Sequence, residues 1–215
     1  KRFCHLCPAQ PNHDHNHFQR NGMIRLAILG SGSGSNALNI IEQCKQRLDI
    51  QVAVVICNIE GAGILDHAKN NGIPAVVISN NELKTEDNLI HVLQQHQVDW
   101  IVLAGFLRKI GSGVCQAFPN KILNIHPALL PKYGGKGMYG HFVHEAVYKN
   151  KETQSGITIH FVNEHYDEGN IIAQFTANLE PSDTPKDIET KVRALEIAHF
   201  PTRSEEHTSE LQSQR

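Results

Sequence analysis

Between Met23 and Pro201 the chain alternates short, nearly continuous apolar runs with longer segments whose apolar residues recur every three or four positions. The runs Ile24–Leu29, Val52–Cys57, Ala75–Ile78, Trp100–Leu103 and Ile122–Ile125 are rich in β-branched residues and read as strands buried on both faces. The segments between them, Asn36–Leu48, Ala62–Asn71, Glu82–His96 and Ser112–Ala117, have helical spacing and end in glycine or polar residues. This alternation predicts an α/β fold built on a three-layer, doubly wound, mostly parallel sheet of Rossmann-like type. After a loop from Pro127 to Gly137, the pattern predicts a helix over Tyr139–Tyr148 and two strands, Gly156–Val162 and Ile171–Ala177. These strands are expected to pair antiparallel at one side of the sheet, near the C-terminal end, before a last helix that begins around Thr184–Asp187.

Composition changes this picture little. With 40% hydrophobic and 20% charged residues, the chain is that of an ordinary soluble globular domain. A net charge of -2 gives no reason to expect nucleic acid or an anionic membrane as partner. No apolar stretch approaches the roughly 20 residues that span a bilayer, and no signal-peptide pattern opens the chain, so a cytoplasmic location is expected. Cys44, Cys57 and Cys115 show no pairing pattern and read as small buried hydrophobes.

The two ends read differently from the middle. Residues 1–22 carry Cys4, Cys7, His5, His13, His15 and His17, residue types that bind zinc, yet they lack hydrophobic periodicity and stop where Met23 opens a clean strand. They are expected to be a non-native or disordered leader, with no metal site. Residues 203–215 resemble the in-frame translation of a sequencing adapter, which leaves 23–202 as the single expected domain.

Candidate chemistry gathers at predicted strand ends. Asn124 and His126 stand two apart at the end of one strand, so their side chains share a face. An amide and an imidazole that converge there, joined by a carboxylate, can polarise a carbonyl, hold an oxyanion and move a proton. Asp167, in the turn-rich Asn163–Gly169, is a candidate for that carboxylate and, read alone, equally a solvated turn acid. Gly30 to Asn36 follows the first strand and opens the first helix, where free amides and the helix dipole suit a phosphate. Its spacing is not that of a dinucleotide fingerprint, and no acid ends the second strand. Gly105 to Ile110 is a third feature on the same rim, where ligands of open parallel sheets bind. The remaining histidines, His160 among them, show no metal-ligand spacing, and His141 and His144 read as a solvated helix face.

Five motifs then fall into the order and spacing of one family. Gly34-Ser35-Asn36, Leu103-Ala104-Gly105-Phe106-Leu107-Arg108, Asn124-Ile125-His126-Pro127-Ala128-Leu129-Leu130-Pro131-Lys132-Tyr133, Gly156-Ile157-Thr158-Ile159-His160-Phe161-Val162 and Asp167-Glu168-Gly169 resemble the folate-dependent formyltransferases, in particular those that formylate phosphoribosylglycinamide. The resemblance runs from Ile24 to Pro201 and implies the formyltransferase fold. It implies transfer of a formyl group from the co-substrate 10-formyltetrahydrofolate to the amino group of glycinamide ribonucleotide, a step of purine synthesis, with small-molecule partners only and a monomer or homodimer. By the same resemblance, Gly34, Ser35 and Asn36 hold the phosphate and Glu196 touches the ribose. Leu107, Arg108, Lys109 and Ile110 line the folate pocket with Val162 and Asn163. Asn124 binds the formyl oxygen, His126 protonates the tetrahedral intermediate and Asp167 raises the pKa of His126. A carboxylate about 4 Å from an imidazolium, at an effective dielectric near 20, is worth up to about 4 kcal/mol, which predicts a His126 protonated near neutral pH.

The chain departs from the family pattern in three places. The loop Tyr133–His141 is longer and richer in glycine, no arginine stands near Glu82–Lys84, and the end of the last helix with its following strand has no match. The alternative within this chemistry is a formyltetrahydrofolate deformylase, which shares the Asn, His and Asp.

Overall fold

A computed structural model describes the backbone of residues 22–213 and the side chains of residues 22–200. The cysteines and histidines of the expected leader therefore lie outside the described residues. Seven strands form one sheet: β1 (Ile24–Gly30), β2 (Ile50–Cys57), β3 (Ala75–Val77), β4 (Trp100–Leu103), β5 (Ile122–His126), β6 (Gln154–Phe161) and β7 (Ile171–Asn178). Their spatial order is β3-β2-β1-β4-β5-β6-β7. The first five are mutually parallel, and β6 and β7 join antiparallel beyond β5, as the sequence predicts.

Alternation along each strand feeds two separate cores. Leu26 and Ile28 of β1, Val55 of β2 and Val102 of β4 pack with α1 (Ser35–Cys44), α2 (Gly63–Asn70), α5 (His141–Lys149) and α6 (Pro185–Ser213). Ala27 and Leu29, Val54 and Ile56, Ile101 and Leu103 face the other way, onto α3 (Asp87–Gln95) and α4 (Ser112–Ala117). Both faces of the central strands are thus covered, which is why these strands read as unbroken apolar runs. The rim beyond the carboxyl ends of β1, β2, β4 and β5 is left as the place where polar residues collect.

Two expected elements shift. The single helix expected over Glu82–His96 is a 3₁₀ turn, Glu82–Lys84, followed by α3. Glu86 between them has φ 59°, and its carboxylate accepts the Val114 N–H at 3.0 Å. A contact to a distant helix thereby overrides the local helical pattern. The helix expected from Tyr139 starts at His141, because Gly140 takes φ 53°, ψ -133°, outside the helical region. The last helix, α6, begins at Pro185, within its expected start, and its backbone continues to Ser213; side chains beyond 200 lie outside the described residues. Among the described residues no helix is long and apolar enough to cross a membrane.

Candidate active site

A cavity of about 790 Å³ opens on the carboxyl rim of the parallel strands. At one end Ser35 and Asn36 form the first turn of α1, whose N-terminus carries no side-chain cap and so leaves amides free for an anion. Gly34, expected to contact the phosphate, is not in the cavity wall. It adopts φ 79°, and a Cβ there would sit 2.6 Å from Ile64 Cα, so glycine lets the chain bend tightly over α2 directly before Ser35 and Asn36. Glu196 of α6 reaches the same end and accepts the Asn36 amide at 3.0 Å; burial pushes its carboxyl above the usual range. Leu107, Arg108, Lys109 and Ile110 line the same cavity, as do Val162 and Asn163.

Asn124, His126 and Asp167 come together in the wall of this cavity. The two β5 side chains share one face, as their spacing requires, and both line the cavity. Asp167 stands in a turn with φ 55°, its Oδ2 3.6 Å from His126 Nδ1. Gly169 lets that turn lie flat on β6, since a Cβ there would overlap the Phe161 carbonyl oxygen. The Gly135 N–H donates to Asp167 Oδ2 at 2.9 Å, which ties the glycine-rich loop to the carboxylate.

A protein-family model described as formyl transferase matches residues 24–203. The chain belongs to the formyl transferase family. It is 42% identical over 174 residues to "Phosphoribosylglycinamide formyltransferase, chloroplastic" of Arabidopsis thaliana, covering 78% of this chain and 60% of that protein. The chain spans about three fifths of the length of that relative and of its counterpart in Vigna unguiculata. It is 34% identical over 185 residues to the phosphoribosylglycinamide formyltransferase of Bacillus subtilis, covering 84% of this chain and 92% of that protein. The crystal structure of glycinamide ribonucleotide transformylase 1 from Symbiobacterium toebii superposes with a TM-score of 0.79 at 33% identity, over 86% of this chain and 87% of that one.

In this formyl transferase the protonation state of the site follows from hydrogen-bond geometry. The carbonyl of Tyr133 can only accept, so the 2.7 Å contact from His126 Nε2 fixes the proton on that nitrogen. Nδ1 is then a lone pair facing Asp167 beyond hydrogen-bond distance. Burial pushes the pKa of His126 below its ordinary value, against the opposing effects of Asp167 and the Tyr133 carbonyl. Burial thus works against the protonated ring expected from the carboxylate alone: His126 is only 3% exposed, and Asp167 stands 3.6 Å away.

Two participants escaped the sequence reading. His160 of β6 lies directly across from Asn124 in the antiparallel register. Its Nδ1–H donates to the Phe161 carbonyl at 2.8 Å, so Nε2 accepts the Asn124 amide at 3.1 Å. One Asn124 N–H is thereby held in place and the other stays free for a ligand oxygen. Cross-strand pairing of Asn124–His126 with Gly156–Val162 was the available signal, and it required the register. His144, expected on a solvated face, is instead 4% exposed in the cavity wall, and burial lowers its pKa. It packs inward because α5 is covered by α6. Among the described residues no group of three or more His, Cys, Asp or Glu has the geometry to hold a metal ion.

Proposed function

We propose that this formyl transferase moves the formyl group of 10-formyltetrahydrofolate to the amino group of glycinamide ribonucleotide. The observation that carries the reading is one cavity lined together by an anion-binding helix terminus, by Leu107–Ile110 with Val162 and Asn163, and by Asn124, His126 and Asp167. The names of the relatives support the same substrates.

The substrate amine attacks the formyl carbon, forming a C–N bond while the carbonyl electron pair moves onto oxygen. The free Asn124 N–H donates to that oxyanion, a contact worth about 3 kcal/mol in comparable sites. His126 Nδ1, unprotonated, takes the proton from the new ammonium centre, and Asp167 stabilises the imidazolium. His126 then gives the proton to N10 of the folate as the C–N10 bond breaks, which leaves the formyl group on the ribonucleotide. No covalent enzyme intermediate is needed, so positioning within the cavity supplies much of the rate.

A spectroscopic assay of folate product, with glycinamide ribonucleotide present and then omitted, tests the proposal. Product formed only with the ribonucleotide is expected. Product formed equally without it selects the deformylase instead.

A further inference from the structure

A belt of hydrogen bonds runs along the carboxyl ends of β3, β2, β1 and β4, in the order in which those strands lie in the sheet. The Leu107 N–H donates to Ser31 Oγ at 2.9 Å, and the Ser31 hydroxyl donates to Asn58 Oδ1 at 2.6 Å. The Asn58 amide nitrogen donates to Asn80 Oδ1 at 2.8 Å, and the Arg108 Nε–H reaches the same oxygen at 2.7 Å. Because Leu107 and Arg108 are neighbours in sequence, the belt closes on itself. A backbone bond from the Ser31 N–H to the Gly105 carbonyl, 3.0 Å, draws the same loop in.

Ser31 and Asn58 are 4% and 8% exposed, so their polar atoms depend on each other rather than on water. Donors all point one way from Leu107 through Ser31 and Asn58 to Asn80, an arrangement in which each bond polarises the next. Removing the Asn58 amide takes away the acceptor of the buried Ser31 hydroxyl, while Asn80 Oδ1 keeps only the Arg108 Nε–H. The glycine loop before α1 has a separate anchor, since the Ile64 N–H donates to the Gly32 carbonyl at 3.2 Å. Loss of the belt therefore releases the Leu107–Ile110 loop and leaves the helix terminus in place.

We infer that Ser31 and Asn58 are positioning residues that hold the Leu107–Ile110 wall of the formyl-donor pocket through a closed hydrogen-bonded belt at the sheet rim. The inference rests on the assignment of that wall to the folate. It makes donor affinity depend on two residues at the ends of strands on the ribonucleotide side of the sheet.

The test compares the parent chain with Asn58→Ala, Ser31→Ala, Asn58→Asp and the exposed Asn80→Ala, each checked for a cooperative thermal transition. Loss of one such bond predicts a rise of about 10-fold in KM for 10-formyltetrahydrofolate in Asn58→Ala and Ser31→Ala, with kcat at saturation changed by less than about 3-fold. Asn58→Asp keeps the acceptor for Ser31 and loses the donor to Asn80, so an intermediate rise is expected. The Ser31→Ala/Asn58→Ala double variant is expected to lose far less than the product of the two single effects, because both cut one belt. A merely structural role would lower thermal stability and the active fraction without moving KM. Should the buried variants not fold, Asn80→Ala carries the test with a smaller rise in KM. Donor KM within about 2-fold of the parent in every folded variant, or fully additive effects, overturns the inference. Direct titration with 10-formyltetrahydrofolate, without ribonucleotide, separates the two failures. Unchanged affinity in the variants defeats the belt, whereas a parent that binds donor and transfers nothing defeats the proposed function. A parent that binds no donor defeats both.

Discussion

His126 at the end of β5 and His160 near the end of the neighbouring β6 are two imidazoles in nearly the same surroundings. Both are buried, both stand close to Asp167, at 3.6 and 3.7 Å, and burial lowers the pKa of each. They differ in which nitrogen a backbone carbonyl has claimed. Phe161 claims Nδ1 of His160, so Nε2 accepts Asn124 and both nitrogens are occupied. Tyr133 claims Nε2 of His126, which leaves Nδ1 as an open lone pair toward the cavity. Chemistry is thus assigned by hydrogen-bond partners: one ring orients an amide, and the other is free to take a proton.

The comparison breaks most sharply at the ring assigned to proton transfer. His126→Ala should cut turnover roughly 1000-fold with the fold retained, the middle of the range for a lost acid–base group. Steady-state kinetics alongside circular dichroism measures it, and turnover near the parent's would end the assignment. Asn124→Ala should cost about 3 kcal/mol, or roughly 100-fold, appearing in kcat more than in KM. Asp167→Asn keeps an acceptor for the Gly135 N–H and deletes the charge that opposes desolvation of His126. The pKa of His126 should fall further, so the acid limb of the kcat profile moves to lower pH while kcat drops; a limb that moves upward contradicts the electrostatics. His160→Phe should lower turnover only about 10-fold, the loss of one orienting hydrogen bond, and leave the acid limb where it was.

The smallest effect is on stability. His126, His144 and His160 all have folded pKa values below the ordinary 6.5, so the unfolded chain binds protons more readily than the native one. Their contribution is complete above that value and is lost as pH falls through the lowered folded pKa values. Urea midpoints should therefore decline from pH 7.5 to 5.5, and His144→Phe should flatten the slope. Midpoints that stay level across that window would show the three imidazoles to be no more desolvated folded than unfolded.

Much of the fold was legible because burial on both faces writes unbroken apolar strands, and helical spacing writes the segments between. Leu26 and Ile28 against Ala27 and Leu29 divide two cores by parity alone. The break at Glu86 was not legible, since its cause is the Val114 amide 28 residues away. Asn124, His126 and Asp167, picked out by residue type, spacing and resemblance, do line one cavity with Ser35, Asn36, Glu196, Leu107–Ile110, Val162 and Asn163, while Gly34 shapes the turn before Ser35. His160 and His144 were missed because a lone histidine on a strand or helix carries no mark of what it will face.

Sequence by itself determined the strand and helix pattern, the parallel-to-antiparallel change after β5, and the pairing of Asn124 with His126 on one face, all consequences of local periodicity. Tertiary structure alone decided the proton map. A carbonyl from Tyr133 and one from Phe161 choose the nitrogen that keeps the hydrogen, and the depth of burial lowers the pKa of His126 against the opposing pull of the nearby carboxylate. Desolvation depends on everything packed around the ring, a sum over distant segments that no local pattern contains.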